Sequence, residues 1–206
     1  MWLVKNAPIL KWDFEKVDFG LEHSFSKFLE TMGIYEKKFK ILIVNTPTIT
    51  HMGIPGSNGE YIFLLSLPFM RKLDLSKLEI SLIMFEDYLR VENQYLQKFV
   101  LTKELKQMLG KNFHNKKFDK KVIFDVVKKY DNFILDKGFS FKQQFEVTKS
   151  MSRYLKDDLK LWNSYYQMIV KIDDLIKTNV LYKEYLKIYP SPEIQMNWLR
   201  PKTKKL

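Results

Sequence analysis

The chain has 206 residues, no cysteine and a formal net charge of +11. The missing cysteines exclude disulfides, thiolate metal sites and a cysteine nucleophile, and no apolar run reaches the roughly 18 residues that a membrane span needs. An apolar content of 46% with 15% aromatic residues argues for a folded globule, and the length suits a single domain over 1–206.

Residues 1–21 show no sustained period and read as an irregular or partly extended lead-in. His23–Met32 places Phe25, Phe28, Leu29 and Met32 on one helical face, closed by Gly33 as a C-cap. Phe39–Val44 is rich in Ile and Val and predicts a mostly buried strand. The segment HMGIPGSNGE, with Gly53, Pro55, Gly56 and Gly59, reads as a long turn before a second strand, YIFLLSL. A small antiparallel or mixed sheet follows from that reading. Pro68 opens a short turn of helix.

Ser76–Asn93 is the central buried helix. Leu78, Leu82, Phe85 and Leu89 fall at three- and four-residue spacings, and Ser76 with Glu79 forms a capping box. Residues 94–110 read as helix, followed by a basic connection. Val122–Asp136, Ser140–Leu155 and Asp157–Thr178 are three further helices, and Ser191 caps a short last one ending before Pro201. The fold class is α+β, mainly helical.

The charge is segregated. Lys98–Lys121 carries eight lysines against Glu104 and Asp119, and residues 200–206 add Arg200, Lys202, Lys204 and Lys205 with no acid. Such a basic insertion and tail could meet nucleic acid or an anionic membrane surface; the ordinary reading of a charge run is a solvated face. Lysine dominates over arginine, which weakens the nucleic-acid reading. The N-terminus lacks a signal-peptide pattern, so the cytoplasm is expected, and a periplasmic form with its leader removed stays open.

Four segments, in order, resemble the HtpX-type zinc metallopeptidases, the gluzincin group that includes the CAAX prenyl proteases and BepA-like enzymes. NTPTITHMGIPGSNGEYIFLLSLPFM is similar to the family's N-A-F-x-x-P-G-G-x-I-x-v segment. LEISLIMFEDYLR lies where the family has E-L-x-x-V-L-A-H-E-x-x-H, QQFEVTKSMSRYL resembles R-E-F-E-A-D-R-x-A, and YPSPEIQMNWL resembles H-P-S-x-x-x-R-I-x-x-L. The resemblance covers about Phe25–Leu199 and implies a gluzincin-like core, a small sheet packed on a central helix.

The departures from the family pattern fall on its chemistry. In this register Phe85 and Leu89 stand for the two histidines, Gln144 for the ligand glutamate and Thr148 for the aspartate four residues later. Tyr189 and Gln195 replace the histidine and arginine of the last motif, and Glu86 alone keeps the general-base position. Two imidazoles one turn apart and a carboxylate must hold Zn²⁺ to acidify its water. Phenylalanine and leucine offer no lone pair, so no metal, no cofactor and no catalysis are expected. Glu86 then reads as a relic or as a solvated or salt-bridged side chain.

Other chemistry finds little support. His23, His51 and His114 fall on different elements, and a rebuilt metal site would need two of them to meet carboxylates such as Glu86 or Glu146. The GIPGSNG loop lacks the Gly-Lys-Ser/Thr end of a phosphate cradle, and no G-x-S-x-G elbow occurs. The functional expectation is a pseudopeptidase, a regulatory or scaffold module that holds a protein or peptide. An edge strand Tyr61, Ile62, Phe63, Leu64, Leu65 would pair with the partner's backbone, and Gly53, Pro55 and Gly56 would shape the cleft's lip. The alternatives are an electrostatic binder acting through Lys98–Lys121 and, last, an active hydrolase with a reconstituted metal.

Overall fold

The computed structural model describes residues 20–56, 59–100 and 120–200. Within them the protein is mainly helical with one three-stranded mixed sheet. Among the described residues no helix is long and apolar enough to cross a membrane. Most of the expected lead-in, residues 101–110 of the expected helical continuation and most of the basic connection lie outside the described residues, as does the tail beyond Arg200; the start of that continuation, Tyr95–Val100, is helical as expected.

Helix α1 (Leu21–Thr31) buries Leu21, Phe25, Phe28 and Leu29. Its end is a Schellman turn: the amide of Gly33, at φ +75°, donates to Glu30 O and that of Ile34 to Leu29 O, both at 2.9 Å. Strands β1 (Phe39–Val44), β2 (His51–Pro55) and β3 (Tyr61–Ser66) follow, in spatial order β1, β3, β2. β1 runs parallel to β3 and β2 antiparallel to it.

Two expectations are corrected here. HMGIP is a strand, not part of a turn; the turn begins at Gly56, whose amide donates to Glu60 O at 2.7 Å. Gly53 and Pro55 look like breakers in sequence but serve an edge strand. A Cβ on Gly53 would lie 2.9 Å from both Cβ and the backbone O of Asp87, so the strand needs glycine to approach the helix beneath. Pro55 ends the strand at the edge, where a missing amide costs the sheet little. The second correction concerns Tyr61–Leu65, which is the central strand with partners on both sides, so its backbone is unavailable for pairing with a peptide. The edge beside the long helix is β2.

Helix α2 (Leu67–Lys72) starts on Ser66, whose hydroxyl accepts from the Phe69 amide at 3.2 Å. Helix α3 (Lys77–Glu92) carries the predicted capping box: Ser76 Oγ accepts from the Glu79 amide, and Glu79 Oε2 accepts from the Ser76 amide. Every residue from Glu79 to Val91 is buried. A helix covered on all sides cannot place its polar residues in water, so Glu86, Asp87 and Arg90 must find partners inside.

The helices that follow are α4 (Tyr95–Val100), α5 (Lys120–Asn132) with a π-turn at Phe133–Lys137, α6 (Phe141–Leu155), α7 (Leu159–Thr178), α8 (Tyr185–Ile188) and α9 (Pro192–Leu199); α4, α6 and α7 pack directly on α3. Asp158 caps α7 by accepting from the amides of Lys160 and Leu161. Gly138 is fixed by its surroundings as well as by its φ of +56°: a Cβ there would meet Lys187 O at 2.1 Å. That close approach seats Phe139, whose amide donates to Ile188 O at 2.8 Å, next to the core of α3.

Candidate functional site

The polar residues of α3 converge on Arg90. Its Nη1 donates to Asp87 Oδ1 at 2.6 Å, and its Nη2 donates to Glu86 Oε2 at 3.0 Å and to Gln144 Oε1 at 2.8 Å. All four residues are at most 3% exposed. Spacings of three and four residues bring Glu86, Asp87 and Arg90 together on one helix, and α6 supplies Gln144 from the facing wall. The guanidinium plane lies over two rings, Tyr189 at 4.7 Å and Phe139 at 5.3 Å.

Glu86 is the second hub. Its Oε1 accepts from Tyr165 Oη of α7 and from Gln195 Nε2 of α9, each at 2.5 Å, while Gln144 Nε2 stands at 3.5 Å. Gln195 Nε2 also lies 2.8 Å from Tyr165 Oη. Burial penalises the Arg90 cation, but the Glu86 and Asp87 carboxylates outweigh that cost and hold its pKa above the ordinary value. The neighbouring phenols move the same way: burial first, then the carboxylates, pushes Tyr165 and Tyr189 well up, so both remain hydroxyl donors.

The strand side closes the cluster. His51 Nδ1 lies 2.9 Å from Asp87 Oδ2, and since the carboxylate only accepts, Nδ1 carries the proton. The imidazole stacks on Tyr189 with centroids 4.4 Å apart. Tyr189 Oη in turn donates to the backbone O of His51 at 2.6 Å. That last bond identifies the outward side of β2. The bonds from Ser66 N to Thr50 O and from Gly56 N to Glu60 O bracket the β2–β3 ladder. Two-residue alternation therefore turns the backbone groups of His51, Gly53 and Pro55 away from β3.

The positions singled out in sequence separate into two groups. Glu86, Gln144 and Thr148 meet, with Gln144 Nε2 3.4 Å from Thr148 Oγ1. Phe85 and Leu89 lie on another side of α3. Phe85, fully buried, packs against Phe28, Tyr88 and Tyr154, and Leu89 lines a surface concavity with Tyr88, Glu92, Asn93, Ser150, Arg153 and Tyr154. Glu146 accepts from Tyr95 Oη at 2.5 Å and takes no part in the cluster. His23 is exposed on α1, and His114 lies outside the described residues. Among the described residues no group of three His, Cys, Asp or Glu side chains could hold a metal ion.

Sequence reasoning missed Arg90, Asp87, Tyr165 and the role of His51. One signal was present: two acids followed by an arginine three and four residues on, inside a stretch otherwise apolar enough to be buried on all sides. Chemically, the arrangement neutralises, immobilises and dehydrates its own charges. It offers a guanidinium whose two Nη atoms reach three acceptors and a carboxylate committed to donors from three other helices, while Arg90 Nε and His51 Nε2 are buried with no hydrogen-bond partner. No family model, curated protein or solved structure matches this chain.

Proposed function

We propose that this protein is a metal-free, catalytically silent relative of the HtpX-type peptidases, in which an internal cation has taken the place of the metal and whose role is to hold a polypeptide partner. The observation that carries the reading is the Arg90 guanidinium, held by Glu86, Asp87 and Gln144 at 2.6–3.0 Å.

The reading gains from moving the sequence register by one residue. Counted from Glu79, the motif E-L-x-x-V-L-A-H-E-x-x-H runs to Arg90. Its two histidine positions are then Glu86 and Arg90, and its general-base position is Asp87. The ligand positions become Glu86, Arg90 and Gln144, three side chains in mutual contact, whereas Phe85 and Leu89 become ordinary core residues. Gln195, standing where the family has its last-motif arginine, reaches the same cluster. A positive charge sits among acceptors in either case; here it belongs to the chain and cannot acidify a water.

Partner binding then falls to the outward edge of β2. Tyr189 already occupies the His51 carbonyl, so a pairing strand would begin beyond it, at Gly53 and Pro55, and would have to displace what buries Gly53. Of the cleft's lip residues in the sequence reading, Gly53 and Pro55 therefore become part of the pairing strand, while Gly56 begins the turn that follows it.

The test uses fluorescently labelled casein as an extended chain. A complex seen by anisotropy, with the Gly53 amide newly protected from hydrogen exchange and the casein uncut, supports the reading. Cleavage that a chelator stops, or binding without protection at Gly53, overturns it. The electrostatic alternative through Lys98–Lys121 rests on a segment mostly outside the described residues.

A further inference from the structure

The two edges of the sheet differ in what covers them. On β2 every residue from His51 to Ile54 is buried, whereas on β1 none from Phe39 to Ile43 is. The β1–β3 ladder fixes where the backbone of β1 points. The Tyr61 amide donates to Lys38 O at 2.9 Å, and along a parallel pair the bonded residues of one strand alternate. Lys40, Leu42 and Val44 therefore turn their amides and carbonyls toward β3, and Phe39, Ile41 and Ile43 turn theirs away. Among the described residues nothing bonds those outward groups.

A free edge is ordinarily blunted by shortness, proline, a bulge or charge. Strand β1 keeps unbroken register with β3 from Phe39 to Val44, with no proline and no bulge, so it is a regular template for another strand. Charge is the one device it carries, and the charge has one sign. Lys38 and Lys40 are exposed and alternate with Phe39, Ile41 and Ile43, which share the opposite face. Phe39 anchors that face, meeting Phe25 of α1 edge to face with centroids 5.1 Å apart. The acids beside the lysines leave them available. Glu60 stands 3.4 Å from Lys40 in a largely exposed pair, which contributes little, and Glu36 is exposed before the strand. Lys37 is occupied elsewhere, its ammonium 5.6 Å from the ring centres of Tyr61 and Tyr88.

We infer that the outward edge of β1 takes an extended polypeptide segment as a fourth strand, and that this segment alternates acidic with apolar residues. Backbone pairing through Phe39, Ile41 and Ile43 supplies the attachment. Carboxylates beside Lys38 and Lys40, with apolar side chains beside Ile41 and Ile43, select the sequence. A second copy of this chain fits less well, because pairing two β1 strands crowds Lys38 and Lys40 of both chains onto one ribbon. This edge lies across β3 from β2 and does not rest on the pseudopeptidase reading.

Titration of the full chain into short, capped, fluorescent peptides tests it. A peptide of alternating valine and glutamate should gain anisotropy and slow hydrogen exchange at the Ile41 and Ile43 amides, which in the free protein exchange faster than those of Lys40 and Leu42. A peptide of alternating valine and lysine should bind about ten-fold more weakly or worse. Lys38→Glu with Lys40→Glu should reverse that preference, while Lys142→Glu with Lys149→Glu, on exposed lysines of α6, should leave it unchanged. Ile41→Pro removes an outward amide that the sheet does not use, so it should abolish binding with the β1–β3 ladder intact. No binding of the glutamate peptide overturns the inference, as does an equal hold on the lysine peptide. So does concentration-dependent dimerisation that protects the same amides. Protection at Gly53 in place of Ile41 and Ile43 overturns it while supporting pairing at β2, so the two readings fail separately.

Discussion

Arg90 and Gln144, 54 positions apart in the chain, are joined by a 2.8 Å hydrogen bond from Nη2 to Oε1 in a space sealed from solvent. The bond links the central helix to α6 on the wall opposite, and the Gln144 amide also lies 3.4 Å from Thr148, one turn along α6. The guanidinium that fills the centre also neutralises two buried carboxylates, Glu86 and Asp87.

Removing Arg90 should therefore be expensive. Arg90→Met leaves Glu86 and Asp87 charged and buried without their cation, a change that costs about 3–5 kcal/mol. The combination of Glu86→Gln with Arg90→Met should recover part of that loss. Urea unfolding monitored by circular dichroism measures both, and an Arg90→Met variant within about 1 kcal/mol of the parent would show that the cluster is not what holds these helices.

Alkaline pH should unfold the protein gradually. Burial, followed by the neighbouring Glu92 carboxylate, raises the Tyr61 and Tyr88 phenols to about 12. A phenol whose pKa is higher in the folded state stabilises the fold fully below its unfolded value, near 10. That contribution is lost as pH rises through about 12. The urea midpoint should fall over this window, in step with tyrosinate absorbance; a midpoint that stays level would contradict the assignment. At the acid end Glu79 has the opposite sign. Burial raises its pKa, but the hydrogen bonds from Lys171 and Ser76 outweigh this and lower it, so its contribution disappears as pH falls below the ordinary carboxylate range.

Gly53 ties β2 to α3. A methyl group there would lie 2.9 Å from the Asp87 backbone O and Cβ, neither of which can rotate away. Gly53→Ala should destabilise by about 1–3 kcal/mol, the usual cost of forcing extra volume into a close-packed contact. Thermal unfolding checks this, and Gly33→Ala gives the comparison, since nothing lies near its Cβ and only its φ of +75° resists.

The register proposed for an ancestral metal site is open to direct reconstruction. Glu86→His, Arg90→His and Gln144→Glu together should create a site that takes up cobalt(II), read as visible absorption of a tetrahedral complex. Phe85→His, Leu89→His and Gln144→Glu should not, because the first two positions face Tyr88 and Tyr154 instead. The reverse outcome would restore the register first read from the sequence.

How much of this was legible without coordinates depended on the kind of signal. The cap at Ser76 and the bounds of α3, α6 and α7 follow from local hydrogen bonding, and they appear within two residues of expectation. β2 was lost because glycine and proline are read as breakers, when the reason for Gly53 lies 34 residues away at Asp87. The central place of β3 depends on strand order, which no local pattern carries. In the cluster, Glu86, Gln144 and Gln195 were reached through resemblance. Arg90 and Tyr165 were not, since an arginine near a helix end and a tyrosine on an amphipathic face look ordinary until the surrounding helices bury them.

The measurement that tests the central claim most directly is the metal content of the folded protein after incubation with excess zinc and exhaustive dialysis. With Arg90 occupying the centre, zinc should remain far below one ion per chain, and the Arg90→Met variant should differ from the parent in stability without gaining peptide turnover. One tightly held zinc per chain in the parent, lost when Gln144 is replaced by alanine and accompanied by chelator-sensitive peptide cleavage, would contradict it.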